Sequence, residues 1–543
     1  MNAASLSAGA LHAAILEAAR GTRELAVVDV REEGEFGRRH LLRAVNLPLS
    51  RLELDLRRLL PRRTVPIVLM DAGGGFAERA AEVIAQAGYR DVARLEGGIE
   101  AWDAAGYELF SGINVPSKVF GEYIEHRFGT PHLSAQELKA RLDAREDLVV
   151  LDSRPIGEYR AMNIPTGVDV PGAELVHRVR AMAPDPKTVV VVNCAGRTRS
   201  IIGAQSLINA GLENPVFALK NGTMGWHLAG LELETGQQRI APPPDQASRA
   251  WSEAAARRVA ERFGVADIGA ADLAAWVGDG ARTTYLLDVR PPEEFAAGHL
   301  PGSVNAPGGQ LVQATDRYVG TLGARLVLVD DTGTRARMTA SWLVQMGWPE
   351  VRVLDGGVDG WEQATGAALE TGPARTPVPE LTQFAQAEIA PADLAAQPDL
   401  PVVDLATSLQ HKKGHIPGAR FAIRSTLVQD LGGLRNARTL VLTARDERLA
   451  RLAANDLTRA GIHRVRVLAG GTDAWEAAGH PLETGMREPL AEPGRDVYER
   501  PYDLDDGVEE AMQAYLDWEI ELIRQIERDG TLPFPDFPPD DGL

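Results

Sequence analysis

The sequence predicts an α/β protein of four small tandem domains, each a mainly parallel sheet with helices on both faces, followed by a C-terminal helix. Three observations predict this class. One pattern recurs four times along the 543 residues, strands alternate with helical segments inside each copy, and the strands are near-continuous apolar runs. Such alternation is typical of parallel sheets, whose strands are buried on both faces and therefore lack a polar side.

The first element of each repeat is an apolar strand that ends in aspartate. The four openings read LAVVDVREEGEF, LVVLDSRPIGEY, YLLDVRPPEEF and LPVVDLATSLQH, and the aspartates are Asp29, Asp152, Asp288 and Asp404. A turn such as AGHLPGSVNAP follows in each copy. Successive aspartates are separated by the length of one small domain, so each interval predicts one domain.

The second and third strands complete each repeat. The second strand runs into a loop, as in PIVLMDAGGGFAERA and VVVVNCAGRTRSII, and a helical pattern comes next. The third strand meets a glycine turn and then a tryptophan, which is Trp102, Trp226, Trp361 or Trp475. Ligands of parallel α/β sheets bind beyond the carboxyl ends of the strands, so we expect chemistry in the loop after the second strand.

Proline and small polar residues mark the linkers, as in ETGQQRIAPPPDQAS and ETGPARTPVPE. They predict domains 1–115, 116–240, 241–376 and 377–490, followed by a C-terminal region 491–543. The segment GVEEAMQAYLDWEIELIRQIER of that region predicts an amphipathic helix that packs on a domain, with a homodimer contact as the alternative. The last residues, TLPFPDFPPDDGL, predict a poorly ordered tail.

Composition and charge narrow the partners and the compartment. The net charge of −19 argues against nucleic acid and anionic membranes as main partners. No apolar run approaches the roughly 20 residues of a membrane span. The single cysteine cannot form an internal disulfide or complete a cysteine-based zinc site. We therefore expect a cytoplasmic protein.

That cysteine, Cys194, lies in the second repeat between a valine-rich strand and a predicted helix. Backbone N–H groups of residues 195–200 can surround an anion there, and Arg197 and Arg199 add positive charge. Both features favour the ionised thiol, so we expect a nucleophile that reacts near neutral pH. The alternative is a small buried structural residue, but a glycine and two arginines are poor neighbours for a core side chain.

These motifs together resemble the rhodanese family. The shared features are the D-x-R … GHxPG opening, the cysteine loop and the closing GGxxxW turn, and the segment CAGRTRS is similar to an active rhodanese loop. The resemblance covers residues 1 to about 487 as four tandem rhodanese-like domains. It is weaker in the fourth, which has Ala406 where the others have Arg31, Arg154 and Arg290.

The resemblance implies a sulfurtransferase. A thiolate would take a sulfane sulfur from a small anionic donor such as thiosulfate, become a persulfide and pass the sulfur to cyanide or a thiol. No metal or organic cofactor is implied. Because the chain has no second cysteine to resolve the persulfide, an external acceptor must complete the cycle.

The site residues follow from the same resemblance. Cys194 is the expected catalytic residue, and the expected substrate-binding residues are Ala195, Gly196, Arg197, Thr198, Arg199 and Ser200. The expected supporting residues are Asp152, Arg154 and Glu158. The first repeat, which lacks a cysteine, has the same opening in Asp29, Arg31 and Glu35, and this favours a structural ion pair over a catalytic role.

Two other functions fit parts of the sequence. Cysteine-dependent phosphatases and arsenate reductases use the pattern C-x5-R, but here the arginine is Arg199, one position early, and Ser200 follows it. The other repeats place Asp71, Asp331 and Ala444 at the cysteine position, and none of these can carry a persulfide. Three inactive repeats of four make a non-enzymatic binding scaffold the main alternative.

Overall fold

The first repeat folds around a five-stranded parallel sheet. The computed structural model describes residues 4–373, 378 and 387–537. The strands of this repeat are β1 (Ala4–Leu6), β2 (Ala26–Asp29), β3 (Val45–Asn46), β4 (Ile67–Met70) and β5 (Val92–Leu95), in the spatial order β1-β5-β4-β2-β3. Its helices are α1 (Ala8–Ala19), α2 (Glu33–Arg38), α3 (Leu52–Leu59), α4 (Phe76–Gln86) and α5 (Gly98–Ala104).

The second repeat has the same topology. Its strands are β6 (His132–Leu133), β7 (Leu148–Asp152), β8 (Val168–Asp169), β9 (Val189–Asn193) and β10 (Val216–Leu219), in the order β6-β10-β9-β7-β8. Its helices are α6 (Val115–Phe128), α7 (Ala135–Asp143), α8 (Ile156–Ala161), α9 (Glu174–Met182), α10 (Thr198–Asn209) and α11 (Gly222–Leu228).

The third repeat follows the same order. Its strands are β11 (Ala266–Ile268), β12 (Thr284–Asp288), β13 (Val304–Asn305), β14 (Arg325–Val329) and β15 (Glu350–Leu354), in the order β11-β15-β14-β12-β13. Its helices are α12 (Gln246–Arg262), α13 (Ala270–Gly278), α14 (Pro292–Ala297), α15 (Gly308–Gln313), α16 (Thr334–Gln345) and α17 (Gly357–Thr365).

The fourth repeat is built alike and precedes a long C-terminal helix. Its strands are β16 (Ala387–Ile389), β17 (Val402–Asp404), β18 (Arg420–Phe421), β19 (Leu440–Thr443) and β20 (Val465–Leu468), in the order β16-β20-β19-β17-β18. The helices are α18 (Pro391–Ala395), α19 (Ser408–Lys413), α20 (Leu427–Asp430), α21 (Glu447–Arg459), α22 (Gly471–Ala477) and the C-terminal α23 (Val508–Asp529). The predicted fold class of four tandem α/β domains is confirmed.

Each sheet is covered on both faces, as its apolar strands predict. In β9, Val190 and Val192 pack into one hydrophobic core with Leu207, whereas Val191 packs into a second core with Trp226. Successive side chains of a strand point to opposite faces, so the two cores lie on opposite sides of the sheet. This burial explains why the strands show no polar alternation.

The paired register aligns the repeats at the carboxyl end of the second strand. The aspartates that end β2, β7, β12 and β17 pair with the last residues of β4, β9, β14 and β19, which are Met70, Asn193, Val329 and Thr443. The next residue is therefore Asp71, Cys194, Asp330 or Ala444.

The expectation that Asp331 occupies the cysteine position is wrong by one residue. The N–H of Val358 donates to the carbonyl oxygen of Asp330, as the N–H of Thr223 donates to that of Cys194. Asp330 and Asp331 both follow β14 in this repeat, and only the strand pairing shows which of them occupies the cysteine position.

The repeats pack directly against one another. Trp342 of the third repeat donates from Nε1 to Ser206 Oγ of the second at 2.9 Å. Arg424 of the fourth pairs with buried Glu53 of the first at 2.7 Å. The helix α6 begins at Val115, beside the first predicted domain boundary. The boundary at 376/377 lies outside the described residues, and the predicted boundaries stay predictions.

The C-terminal region packs on the body of the protein. The buried face of α23, which includes Met512, Leu516 and Leu522, lies against α6 and α11 within the same chain. The predicted packing of this helix on a domain is confirmed, and a homodimer would have to use another surface.

The expectation of a poorly ordered tail is wrong for residues 531–537, because Phe534 packs against Phe120 and Phe537 against Phe263. Aromatic side chains among the prolines anchor the segment by packing on the body of the protein, which its composition did not reveal. Residues 538–543 lie outside the described part.

Candidate active site

The cysteine loop joins β9 to α10 at the carboxyl edge of the second sheet. The loop is held from below by the start of α11, where the N–H groups of Thr223 and Met224 donate to the carbonyl oxygens of Cys194 and Ala195 at 2.9 and 3.0 Å. Gly222 makes this approach possible, because a Cβ at its positive φ of 54° would lie 2.2 Å from the Cys194 oxygen. The glycine turn of the repeat therefore positions the loop.

The Cys194 thiol lies at the bottom of the loop and is 2% exposed. Its Sγ lies 3.5 Å from the hydroxyl oxygen of Ser200, and that hydroxyl donates to the carbonyl oxygen of Arg197 at 2.8 Å. The Ser200 hydroxyl therefore contacts the Cys194 sulfur and also stabilises the loop through its hydrogen bond to the Arg197 carbonyl.

The loop presents unused hydrogen-bond donors. Within the described part of the chain, the backbone N–H groups of residues 195–200 donate to no protein acceptor. The helix α10 begins at Thr198, so its dipole adds positive potential at the same place. Unpaired N–H groups in a buried loop are costly unless a ligand or water satisfies them, and this arrangement fits an anion.

Arg199 is the arginine that faces the site. Its Nη1 and Nη2 atoms lie 2.9 and 2.8 Å from the two carboxylate oxygens of Glu158. Burial alone would lower the pKa of Arg199, but Glu158 and the Cys194 thiolate raise it above its usual value. Burial would raise the pKa of Glu158, but Arg199 lowers it to about 2. The pair is therefore charged, and it fixes a guanidinium beside the sulfur.

Arg197 has a different position. Its buried guanidinium donates to Glu122 at 2.6 and 2.8 Å, to Asn221 Oδ1 at 3.2 Å, and also to Glu125. Most of its donors are occupied by α6 and the glycine turn, so it anchors the loop to α6. The two arginines predicted to bind substrate thus differ in their partners: Arg197 is held by α6, and Arg199 is held by Glu158.

The supporting residues divide in the same way. Arg154 donates to both oxygens of Asp152 at 2.8 and 2.7 Å, and to the carbonyl oxygen of Met162. Asp152 also accepts from Asn193, the neighbour of Cys194. This buried pair fixes the strand ends beneath the loop, whereas Glu158 lies in the site itself and holds Arg199.

A cavity of about 110 Å³ opens above Cys194. Its walls come from the cysteine loop, from α15 of the third repeat, from α6 and from the C-terminal region. The residues from outside the repeat motif include Lys118 of α6 and, from the third repeat and the C-terminal region, Gln310, Arg500, Tyr502, Tyr515 and Glu519. Gln310 Oε1 lies 3.4 Å from Arg199 Nη1.

Sequence reasoning missed these six residues. They lie outside the repeat motif, and no spacing in the sequence connects residue 500 or 519 with residue 194. The one available signal was that an amphipathic helix must bury its apolar face somewhere, and that signal does not say where.

The other loops show what the same geometry does without a thiol. Asp330 accepts from the N–H groups of Gly333, Arg335 and Ala336 at 2.7, 2.9 and 3.2 Å. Asp71 accepts from those of Gly73 and Ala77 at 2.9 and 3.0 Å. In both loops a carboxylate occupies the cradle that remains open in the second repeat.

Comparison with known proteins agrees with this description. The model of the rhodanese-like domain matches residues 12–105, 134–229, 269–364 and 390–478, which is more than half of the chain. The chain belongs to the rhodanese family. A solved structure of a thiosulfate sulfurtransferase from Pseudomonas aeruginosa is 50% identical, covers 98% of this chain and 100% of that one, and superposes with a TM-score of 0.91.

Curated relatives match single rhodanese domains. The thiosulfate sulfurtransferase GlpE of Pseudomonas aeruginosa is 33% identical over 92 residues, which is 16% of this chain and 79% of that protein. The adenylyltransferase and sulfurtransferase of Candida albicans is 34% identical over 82 residues, 14% of this chain and only 19% of that protein. This rhodanese chain is an enzyme of the sulfurtransferase type.

No helix among the described residues has the length and apolar character that a membrane span needs. The described residues also contain no cluster of three or more histidine, cysteine, aspartate and glutamate side chains placed to hold a metal ion.

Proposed function

We propose that this rhodanese transfers a sulfane sulfur from a small anionic donor such as thiosulfate to an external thiol or cyanide through a persulfide on Cys194. One observation carries the proposal. The N–H groups that bind a carboxylate in the loops of Asp71 and Asp330 are unoccupied around Cys194. The outer sulfur of a persulfide would carry its negative charge about where those carboxylates lie.

The sulfur transfer would take place in two displacements. The Cys194 thiolate attacks the outer sulfur of thiosulfate, the S–S bond breaks, and sulfite leaves with the bonding electron pair. An acceptor nucleophile then attacks the outer sulfur of the persulfide, and its S–S bond breaks to return the Cys194 thiolate. In each step one bond to the transferred sulfur forms, S–S with a thiol or C–S with cyanide, while one S–S bond breaks, so no external oxidant is needed.

The charges in the cavity support an anionic donor. Arg199 is paired with Glu158, but its guanidinium lies beside the sulfur that must attack. Arg500 also lines the cavity, and among the described residues its guanidinium donates only to the Tyr502 hydroxyl, at 3.1 Å. Arg500 is therefore available to neutralise a donor as it approaches the thiolate.

The size of the cavity supports small substrates. A volume of about 110 Å³ accommodates an ion such as thiosulfate, and walls from three regions of the chain restrict the access of a protein surface. Phosphate transfer is less well supported. Arg199 follows Cys194 by five positions, whereas the C-x5-R pattern places the arginine six positions after the cysteine, and both terminal nitrogens of the Arg199 guanidinium are held by Glu158.

The test is intact-protein mass spectrometry of the reduced enzyme before and after incubation with thiosulfate. We expect a gain of one sulfur atom that is removed by cyanide and is absent in Cys194→Ser. Mercaptopyruvate and a low-molecular-weight persulfide serve as alternative donors. If none of the three loads the wild-type protein, the sulfurtransfer proposal is wrong, and the four domains are better studied as a binding scaffold.

A further inference from the structure

One carboxylate in the active-site cavity has no role in the chemistry described so far. Glu519, on α23, is 1% exposed. Its Oε1 accepts from Lys118 Nζ at 3.0 Å and from the Tyr515 hydroxyl at 3.1 Å, whereas its Oε2 is buried with no hydrogen-bond partner among the described residues. A buried carboxylate oxygen without a partner is costly, and it indicates a ligand group that is absent here.

The unpartnered oxygen points at the cysteine loop. A Cβ added to Gly196 would lie 3.2 Å from Glu519 Oε2 and 3.5 Å from the ring of Tyr515. Gly196 is the second residue after Cys194, and all four residues line the same cavity of about 110 Å³. Glycine at this position lets the carboxylate approach the backbone of the cysteine loop closely.

The two neighbours of Glu519 keep the other oxygen occupied. Lys118 is buried and donates to both the Tyr515 hydroxyl and Glu519. Burial and the nearby Glu519 carboxylate raise the pKa of Tyr515 well above its usual value, so its hydroxyl stays protonated and donates to Oε1. The carboxylate is thus held in one orientation, with Oε2 turned toward the cysteine loop.

We propose that this corner of the cavity is the subsite for the sulfur acceptor, that the acceptor is a small uncharged alkyl thiol, and that Glu519 Oε2 takes its proton. This inference rests on the proposed persulfide of Cys194. The S–H bond of the acceptor breaks, and the proton moves to Oε2. The acceptor sulfur bonds to the outer persulfide sulfur, the persulfide S–S bond breaks, and its electron pair returns to Cys194.

The walls of the subsite set the class of acceptor. Met224 lines the cavity, and Leu516 Cδ2 lies 3.9 Å from the position of a Gly196 Cβ. Both belong to a hydrophobic cluster that joins α11 to α23. This side of the cavity is therefore apolar, and it favours an uncharged alkyl group over a second charged group, which would lose its hydration there.

Several charged or titratable groups face Glu519 and shape its pH response. They are Lys118, Glu122 and Arg197 from α6 and the cysteine loop, Tyr498 from the segment before α23, Tyr515 from α23, and Cys194 itself. The ion pair with Lys118 balances the charge of Glu519.

The experiment separates loading of the persulfide from its discharge. Wild-type enzyme and Glu519→Gln are loaded with thiosulfate, freed of excess donor and mixed with 2-mercaptoethanol, and loss of the sulfur atom is followed by rapid-quench mass spectrometry. A thiol with a pKa of about 8.5 or higher is at most about 3% ionised at pH 7. Loss of the base should therefore slow discharge about 30-fold at pH 7, and the gap should close by about pH 10.

Two controls sharpen this result. Glu510→Gln changes an exposed carboxylate on the same helix and should leave loading and discharge unchanged. The acceptor 2,2,2-trifluoroethanethiol is of similar size but more acidic, so Glu519→Gln should slow its reaction much less. Loading of Glu519→Gln at the wild-type rate shows that the variant is folded and its thiol intact.

Three results decide the inference. Equal discharge of 2-mercaptoethanol by a loaded Glu519→Gln and by wild type overturns it. If the variant does not load, the wild-type pH profile decides instead: a rate that rises about tenfold per pH unit between pH 6 and 8, in parallel with free thiolate, overturns it, and a flat profile supports it. Failure of the wild type to load overturns the persulfide proposal instead.

Discussion

The loops of the second and third repeats have the same architecture but differ in what occupies their backbone N–H groups. Each joins a buried strand to a helix, and each has a Glu–Arg pair at matching positions, Glu158–Arg199 and Glu294–Arg335. The residue that follows the strand differs. Cys194 leaves the backbone N–H groups open, whereas the carboxylate of Asp330 binds three of them. The loop is an anion cradle in both repeats, and one side chain decides whether the protein or a substrate fills it.

The arginines also serve different purposes. Arg335 is 1% exposed, and it pairs with Glu174 of the second repeat at 2.8 Å as well as with Glu294 and Asp331 of its own repeat. Arg199 borders the cavity above the thiol. The third repeat thus uses the arginine of this pair to bind its neighbour, whereas in the second repeat the arginine lines the cavity above Cys194.

Replacing the cysteine by the residue of the third repeat should give the largest effect. In Cys194→Asp we expect sulfur transfer from thiosulfate to fall by at least about 1000-fold, because no thiol remains. We expect the melting temperature to stay within a few degrees of wild type, since the new carboxylate can accept the same N–H groups that Asp330 does. Steady-state kinetics and calorimetry measure the two quantities, and substantial remaining turnover would contradict the assignment of Cys194.

Removing the Asp330 side chain from the third-repeat loop should destabilise the protein more than removing the Cys194 side chain from the second-repeat loop. Asp330→Ala leaves three buried N–H groups without their acceptor, and we expect the free energy of unfolding to fall by about 2–3 kcal/mol. Cys194→Ala removes no backbone hydrogen bond, and we expect a loss below about 1 kcal/mol. Denaturant unfolding of both variants at pH 7 checks the difference, and equal losses would mean that the carboxylate is not the cap of that loop.

The Glu158–Arg199 pair should make stability depend on acid. Arg199 lowers the pKa of Glu158 from 4.5 to about 2. A carboxyl with a lowered pKa stabilises the fold above its ordinary pKa, and this contribution is lost as the pH falls toward 2. We therefore expect Glu158→Gln to cost about 2 kcal/mol at pH 7, and the difference from wild type to shrink below pH 4.5. Unfolding curves at pH 7, 5 and 3.5 test this, and a constant difference would contradict it.

The smallest effect concerns the C-terminal contribution to the site. Arg500→Met should lower kcat/KM for thiosulfate about tenfold, because one positive charge at the cavity is lost. Arg495→Met is the matched control, since Arg495 lies on the same segment but pairs with Glu35 of the first repeat at 3.2 Å. We expect that control to keep wild-type kinetics, and equal losses in the two variants would show that the segment acts only by its packing.

Much of the fold and part of the site were predictable from local sequence. The four repeats, the parallel sheets and the position of Cys194 follow from apolar strands, glycine turns and a strand–loop–helix motif. The Asp152–Arg154 pair was recognisable as structural because the first repeat, which lacks a thiol, has its equivalent in Asp29 and Arg31. The position of Arg199 at the end of the loop favours it over Arg197 for an anion contact, but both are cations in one loop and only their partners in the structure distinguish their roles.

The sequence by itself determined four α/β domains and one thiol in a loop rich in N–H groups and arginine, because strand periodicity and turn chemistry act over a few residues. Only the tertiary structure decided which arginine faces the sulfur, which of two adjacent aspartates fills the third cradle, and that Arg500 and Glu519 close the cavity above Cys194. These depend on contacts between residues hundreds of positions apart, which are set by how the domains and α23 pack rather than by local pattern.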